Sequence, residues 1–230
     1  MHEFNYWVGI DTPGATPAQL AEFNDFYSRV HVPEVVEHNP GFLTAERFEL
    51  TKPDDRGDRG PTWLARYTLD AAGAERYVKE NSGPGPVGSY TPFPAGIPMV
   101  PRWRLLWSTL STAGSPLSTA PERLTLVGMD PAPGASEEEV REFNAFYDTV
   151  HVKEALHLMA AEHVTRYEIS RSFLPDGEQP PRFAALYEYA SPTPPSVAPV
   201  GPVSDGPPVY ANRNTHWRLG YTRVPPPSGS

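Results

Sequence analysis

Two histidines carry most of the chemistry this chain can offer. His31 and His151 each follow a tyrosine by four residues (Tyr27, Tyr147) and an asparagine by seven (Asn24, Asn144). At 100° per residue these side chains share one stripe of a helix, together with Leu20 and Phe23 in the first case and Val140 in the second. Polar groups on the buried stripe cost about 1–3 kcal/mol each if left unpaired. They must therefore bond to one another and to backbone, or line a polar cavity. An imidazole titrating near neutrality can give and take a proton, the work of a general acid or base. Tyr27 and Tyr147 can hold the imidazole or donate to a substrate carbonyl, and Asn24 and Asn144 can bond a developing oxyanion. Glu34 and Glu154 lie three residues past their histidines and either orient them or sit in solvent. Arg47 and Arg166 share a strand face with Glu49 and Glu168, as ion pairs or as a carboxylate-binding site. Trp63, Tyr67 and Trp103 read as core residues that can also stack on an aromatic substrate.

Composition narrows the field. The chain has 230 residues, no cysteine, and 29 prolines, more than twice the usual share of about 5%. Without cysteine there is no disulfide scaffold, thiol nucleophile or iron–sulfur cluster. The net charge of −9 argues against nucleic acid, which needs a basic surface. No apolar run approaches the ~18 residues of a membrane span, and the first residues lack the pattern of a signal peptide. A soluble, cytoplasmic protein is expected. His151, Glu154, His157 and His163 are spread too widely on a helix for one ion, so no metal site is expected. No glycine-rich phosphate loop, nucleophile elbow or dinucleotide fingerprint is present.

The elements that position the histidines occur twice. Residues 22–34 match residues 142–154, and four further blocks follow in the same order: 8–11 with 127–130, 47–50 with 166–169, 61–67 with 181–187, and 103–105 with 217–219. Five ordered blocks point to a tandem duplication. Each copy reads β-α-β-β-(α)-β. Strands are expected over 6–11, 43–50, 63–69 and 103–108, with counterparts over 125–130, 164–170, 183–189 and 217–222. The first helices open with the capping boxes Thr16–Gln19 and Ser136–Glu139. Asp70 caps a second helix over 71–80. In the second copy that helix is replaced by a proline-rich stretch at 191–202 that cannot be helical. This stretch and 83–101 are lids, pocket edges or plain surface loops. Residues 1–110 and 122–224 form the two repeats, 111–121 the linker and 225–230 a frayed tail.

The repeated helix, with its aromatic Phe23, Phe26 and Tyr27 before His31 and Pro33, resembles the EthD-like branch of the dimeric α+β barrel superfamily. The resemblance implies an α+β fold in which two ferredoxin-like β-α-β-β-α-β repeats join antiparallel sheets into one intramolecular barrel. It also implies a functional histidine at this point, in a cavity between sheet and helices. Lys153 stands where the motif has proline, which makes the second histidine the less certain. Relatives of this kind are cofactor-free monooxygenases, isomerases, dehydratases, decarboxylases and cyclases, and also haem enzymes. The expectation is an enzyme without a cofactor: a lyase, isomerase or cyclase, with oxygenase as a variant. It acts on a small apolar molecule, aromatic or polyketide-like, with His31 or His151 as acid/base. The alternative is a non-catalytic small-molecule binding protein of the same fold. A monomer containing its own pseudo-dimer is expected, with further self-association open.

Overall fold

The computed structural model describes residues 3–54, 60–81, 90–174, 179–193 and 203–225. The expected stretches at 83–89 and 194–202, and the tail from 226, lie outside the described residues.

Eight strands close into one antiparallel barrel. They are β1 (Phe4–Asp11), β2 (Phe42–Lys52), β3 (Trp63–Leu69) and β4 (Val100–Gly114), then β5 (Arg123–Asp130), β6 (His163–Ser172), β7 (Phe183–Tyr189) and β8 (Asn214–Arg223). Their order around the barrel is β1-β3-β2-β8-β5-β7-β6-β4. The halves meet at two seams, β2 with β8 and β4 with β6. The second seam explains the length of β4. It pairs with β6 as far as Gly114, so the strand runs past residue 110 into the expected linker.

Helices cover the outer faces of the barrel. α1 (Pro17–Phe26) and α2 (Val32–His38) serve the first half, and α4 (Glu137–Phe146) and α5 (Val152–Met159) the second. Both capping boxes form as the sequence predicts. Between the two helices of each pair lies a π-helical turn that the sequence does not announce. It spans Tyr27–His31 in one half and Tyr147–His151 in the other. The Val32 and Val152 amides reach back to the carbonyls of Tyr27 and Tyr147. One extra residue is thus accommodated where each tyrosine and histidine sit, a distortion that recurs at functional sites.

The third helix, α3 (Ala71–Glu80), begins at the Asp70 cap, whose carboxylate accepts from the Gly73 amide. It docks by close backbone approach: a Cβ on Gly73 would lie 2.7 Å from the Gly41 Cα. Before its last strand the described residues of the second half form a four-residue helical turn, α6 (Pro208–Ala211).

The molecule has three apolar cores rather than one. The barrel interior is filled by Trp7, Trp103, Trp107, Tyr167, Trp217 and their neighbours, as an eight-stranded barrel packed with side chains must be. Trp103 stacks on Trp217 at 4.8 Å there, which leaves it no face for a substrate. The two other cores lie between sheet and helices, one in each half. Among the described residues, no helix is long and apolar enough to cross a membrane.

Candidate functional site

The two histidines occupy equivalent places. Each packs edge-on against the tyrosine of its own π-turn, at 4.9 Å for His31 and 4.8 Å for His151. Each is crossed by a strap of chain leading to the last strand of its half. Phe93 lies 4.8 Å from the His31 ring, and Tyr210 lies 5.0 Å from His151. Glu34 and Glu154 anchor these straps by accepting from Thr91 and Ser204. They do not bond the imidazoles, whose Nδ1 atoms are buried without a hydrogen-bond partner. Burial lowers the pKa of both histidines. His151 is pushed down to about 4, by burial first and then by the nearby Arg213 guanidinium, with Arg166 and Arg218 adding to the effect. It is therefore a neutral imidazole at pH 7.

The arginines expected as carboxylate sites are engaged inside the protein. Arg47 donates to the Asn24 carbonyl and side-chain oxygen and to Ser28, and lies 4.4 Å over the Tyr27 ring. Arg166 is the same device: it donates to Asn144 and Asp148 and covers Tyr147 at 4.1 Å. Each ties its helix to the sheet and holds the π-turn tyrosine. Asn24 and Asn144 consequently spend their side-chain oxygens on arginine. Trp63 is buried and donates to Thr12, and Tyr67 is buried beside it in the core of the first half.

The halves part company on the sheet face. In the first, Tyr6 stands between Tyr67 and Leu106 in the strand register. Its hydroxyl meets Tyr77 of α3 at 3.0 Å and Arg104 at 2.9 Å. Arg104 also reaches Tyr77 and Asn81. Helix, tyrosines and arginine close that face. In the second half the same register positions hold Thr125, between Tyr187 and Gly220. Among the described residues no helix matches α3, a threonine stands where the first half has a large ring, and a glycine where it has a leucine.

A cavity of about 800 Å³ opens there, within the range of small-molecule sites. His151, Tyr147, Tyr187 and Tyr189 line it, with Val127, Met129, Leu158 and Met159. The Tyr147 and Tyr187 hydroxyls lie 3.3 Å apart, and burial raises both phenol pKa values, so both stay protonated donors. Lys52, Arg123, Arg213 and Arg218 also line the cavity, with no Asp or Glu among the described lining residues. Of the residues singled out in the sequence, this cavity brings together His151 and Tyr147. Its arginines and Tyr189 were not among them. Position-by-position comparison of the halves carries the missing signal: Arg123 pairs with Tyr189 where Phe4 pairs with Leu69.

A second cavity, of about 760 Å³, lies against β3 and β6. Its charged groups are already matched, since Arg66 bonds Glu46 at 3.2 Å and Glu188 at 2.6 Å.

No family model matches the chain, and no curated protein matches it in sequence. Solved structures do match in fold. A mutant of chlorite dismutase from Candidatus Nitrospira defluvii has a TM-score of 0.51 at 10% identity, over 97% of this chain and 92% of that one. The same enzyme in complex with imidazole gives 0.50 at 12% identity, over 96% and 91%. An anthrone oxidase-like protein gives 0.46 at 9%, over 97% and 92%.

This comparison corrects the expectation of a protein without a cofactor. Chlorite dismutases are haem-binding proteins, so haem belongs among the groups this fold can carry. The cavity of the second half is chemically suited to it: His151 is a neutral imidazole at an apolar, aromatic wall. With Nδ1 buried, the other ring nitrogen is the one a ligand would meet. The chain shares its overall fold with these chlorite dismutase structures, and one polypeptide supplies all eight strands of the barrel.

Proposed function

We propose that the protein is an enzyme that moves a proton on a small, largely apolar aromatic or polyketide-like carbonyl compound, in the cavity of the second half. The observation that carries this reading is a neutral imidazole at a cavity lined by Lys52, Arg123, Arg213 and Arg218. His151 accepts the proton from carbon next to the carbonyl. Arg213 and Arg218 stabilise the enolate oxygen that develops, and the Tyr147–Tyr187 pair donates to it. Preorganised donors in a site with little water are the largest contribution such a pocket makes. Isomerisation, dehydration and cyclisation all begin with this step. The two halves have the same order of strands and first helices, which supports their origin in a duplication that left one open pocket. Since one chain supplies both sheets, a monomer suffices to build the site.

The test is deuterium exchange at the acidic carbon of 2-tetralone in D2O, followed by NMR. The protein is expected to accelerate exchange over buffer, and His151→Gln to remove the acceleration. Exchange at the buffer rate with wild-type protein would overturn the reading.

A second reading rests on the same ring. Haem, if bound in this cavity, would be held by His151 and would supply one-electron and oxygen chemistry. The chain's part would then be to shield the group with Tyr210 and Phe146 and to hold the imidazole neutral. An absorption spectrum of the purified protein distinguishes the two, since an intense haem band disappears in His151→Gln only under this second reading.

A further inference from the structure

The cavity holds more positive charge than proton transfer needs, and it is placed at two ends. Of the cations lining the cavity, Arg213 and Arg218 act on His151. Arg123 stands apart from them. On β5 it lies two residues from Thr125, about 7 Å along the strand, and Thr125 is the position that faces Tyr187. Its guanidinium stacks on Tyr189 at 3.6 Å. Nε and Nη2 are buried with no hydrogen-bond partner among the described residues, which leaves Nη1 to meet the cavity. Among the described residues no ion pair balances it.

A partly buried cation without a counter-charge is costly to keep. The first half has no such group, because Phe4 occupies the equivalent register position. In a chain of net charge −9, four basic residues around one cavity, with no Asp or Glu among its described lining residues, form a local reversal of sign. Such a site attracts an anion. The rest of the wall decides which anion. Tyrosine rings and Val127, Met129, Leu158 and Met159 suit a flat apolar body. They do not suit a phosphate dianion, whose desolvation these few groups would have to offset.

We propose that the cavity takes a planar aromatic carboxylate, with the carboxylate on Arg123 beside Tyr189 and the ring body directed toward Tyr187 and His151. Two residues of β5, about 7 Å, separate Arg123 from the position that faces Tyr187, which leaves room along the strand for a one- or two-ring body between the anchored carboxylate and the Tyr187 end of the cavity, where His151 takes the proton. This deepens the proton-transfer reading and rests on it for the identity of the reacting end. The anchoring itself does not depend on His151 being a base.

The experiment is calorimetric titration of the full chain with 2-naphthoate and with its uncharged analogue 2-naphthamide. Wild-type protein is expected to bind the acid at least tenfold more tightly than the amide. Arg123→Gln should remove that preference while leaving amide binding as it was, and Arg123→Lys should keep part of it. His151→Gln should retain the full preference. Retained preference without tetralone exchange in the wild type would leave the anchor standing and remove only the proton-transfer reading. Equal binding of acid and amide, absence of binding by either, or an equal loss of both in Arg123→Gln would overturn the proposal. Haemin that displaces naphthoate and loses affinity in Arg123→Gln would assign the cation to a propionate instead, and would overturn it as well.

Discussion

The two halves share a helix pair, a π-turn, a buried arginine and a strapped histidine, yet among the described residues the cavity of about 800 Å³ lies in the second. The difference traces to two register positions and to α3. In the first half Tyr6, Leu106 and α3 close the sheet face, and Arg104 is consumed in bonding Tyr6, Tyr77 and Asn81. In the second, Thr125 and Gly220 leave room and Arg218 is exposed. The same scaffold is used once for packing and once for a site. A closed half that anchors the barrel lets the open half keep buried charge and an unfilled volume.

The largest expected effect separates the histidines. His151→Gln should slow tetralone exchange by 10²–10³-fold, about 2.7–4 kcal/mol in the barrier, while His31→Gln should change it by less than threefold. Equal losses would break the assignment of one working half. Next in size is Tyr6→Thr, which gives the first half the residue of the second. Losing a buried ring and the partner of Arg104 should cost about 2–4 kcal/mol, read from urea denaturation. A cost under 1 kcal/mol would mean that α3 does not depend on that ring. The reverse exchange, Thr125→Tyr, should fill the cavity and weaken 2-naphthoate binding about tenfold with stability unchanged or raised. Unchanged affinity would place the ligand elsewhere.

The smallest effect is on pH dependence. Both histidines have folded pKa values below the unfolded value near 6.5, and His151 is near 4. Between these limits the unfolded chain binds protons that the folded one refuses, so stability falls as pH drops from about 6.5 toward 4. Solvent at the half-exposed ring screens the effect to about 1–2 kcal/mol. The loss is expected to be reduced in His151→Gln. A midpoint temperature independent of pH over that window would show that the imidazole is better solvated than its surroundings imply.

Much of the framework was legible beforehand. Repeated blocks, capping boxes and alternating strands gave the order of elements, because these signals are local: a side chain at N-cap or a period of two needs no distant partner. The α3 boundaries followed from Asp70 in the same way. The π-turns were not legible, since the extra residue is fixed by packing of Tyr27 and Tyr147 under Arg47 and Arg166. Those arginines, which the sequence offers as ion pairs with Glu49 and Glu168 or as a carboxylate-binding site, spend their hydrogen bonds on the helix instead. Strand alternation puts the residues on one face, but only the helix above decides what the guanidinium meets. Trp103 was ambiguous for the same reason, as a period of two does not say which face becomes the barrel interior.

The sequence by itself determined that two similar units exist, that each presents Tyr and His on a buried helix stripe, and that the second lacks a helix where it is rich in proline. The choice between the two histidines was made by tertiary structure. Cavity, charge and pKa depend on which strands close against which, and on the matching of Thr125 with Gly220 and Arg123 with Tyr189 across the sheet. Those pairings join residues far apart in the chain, and only closure of the barrel brings them together.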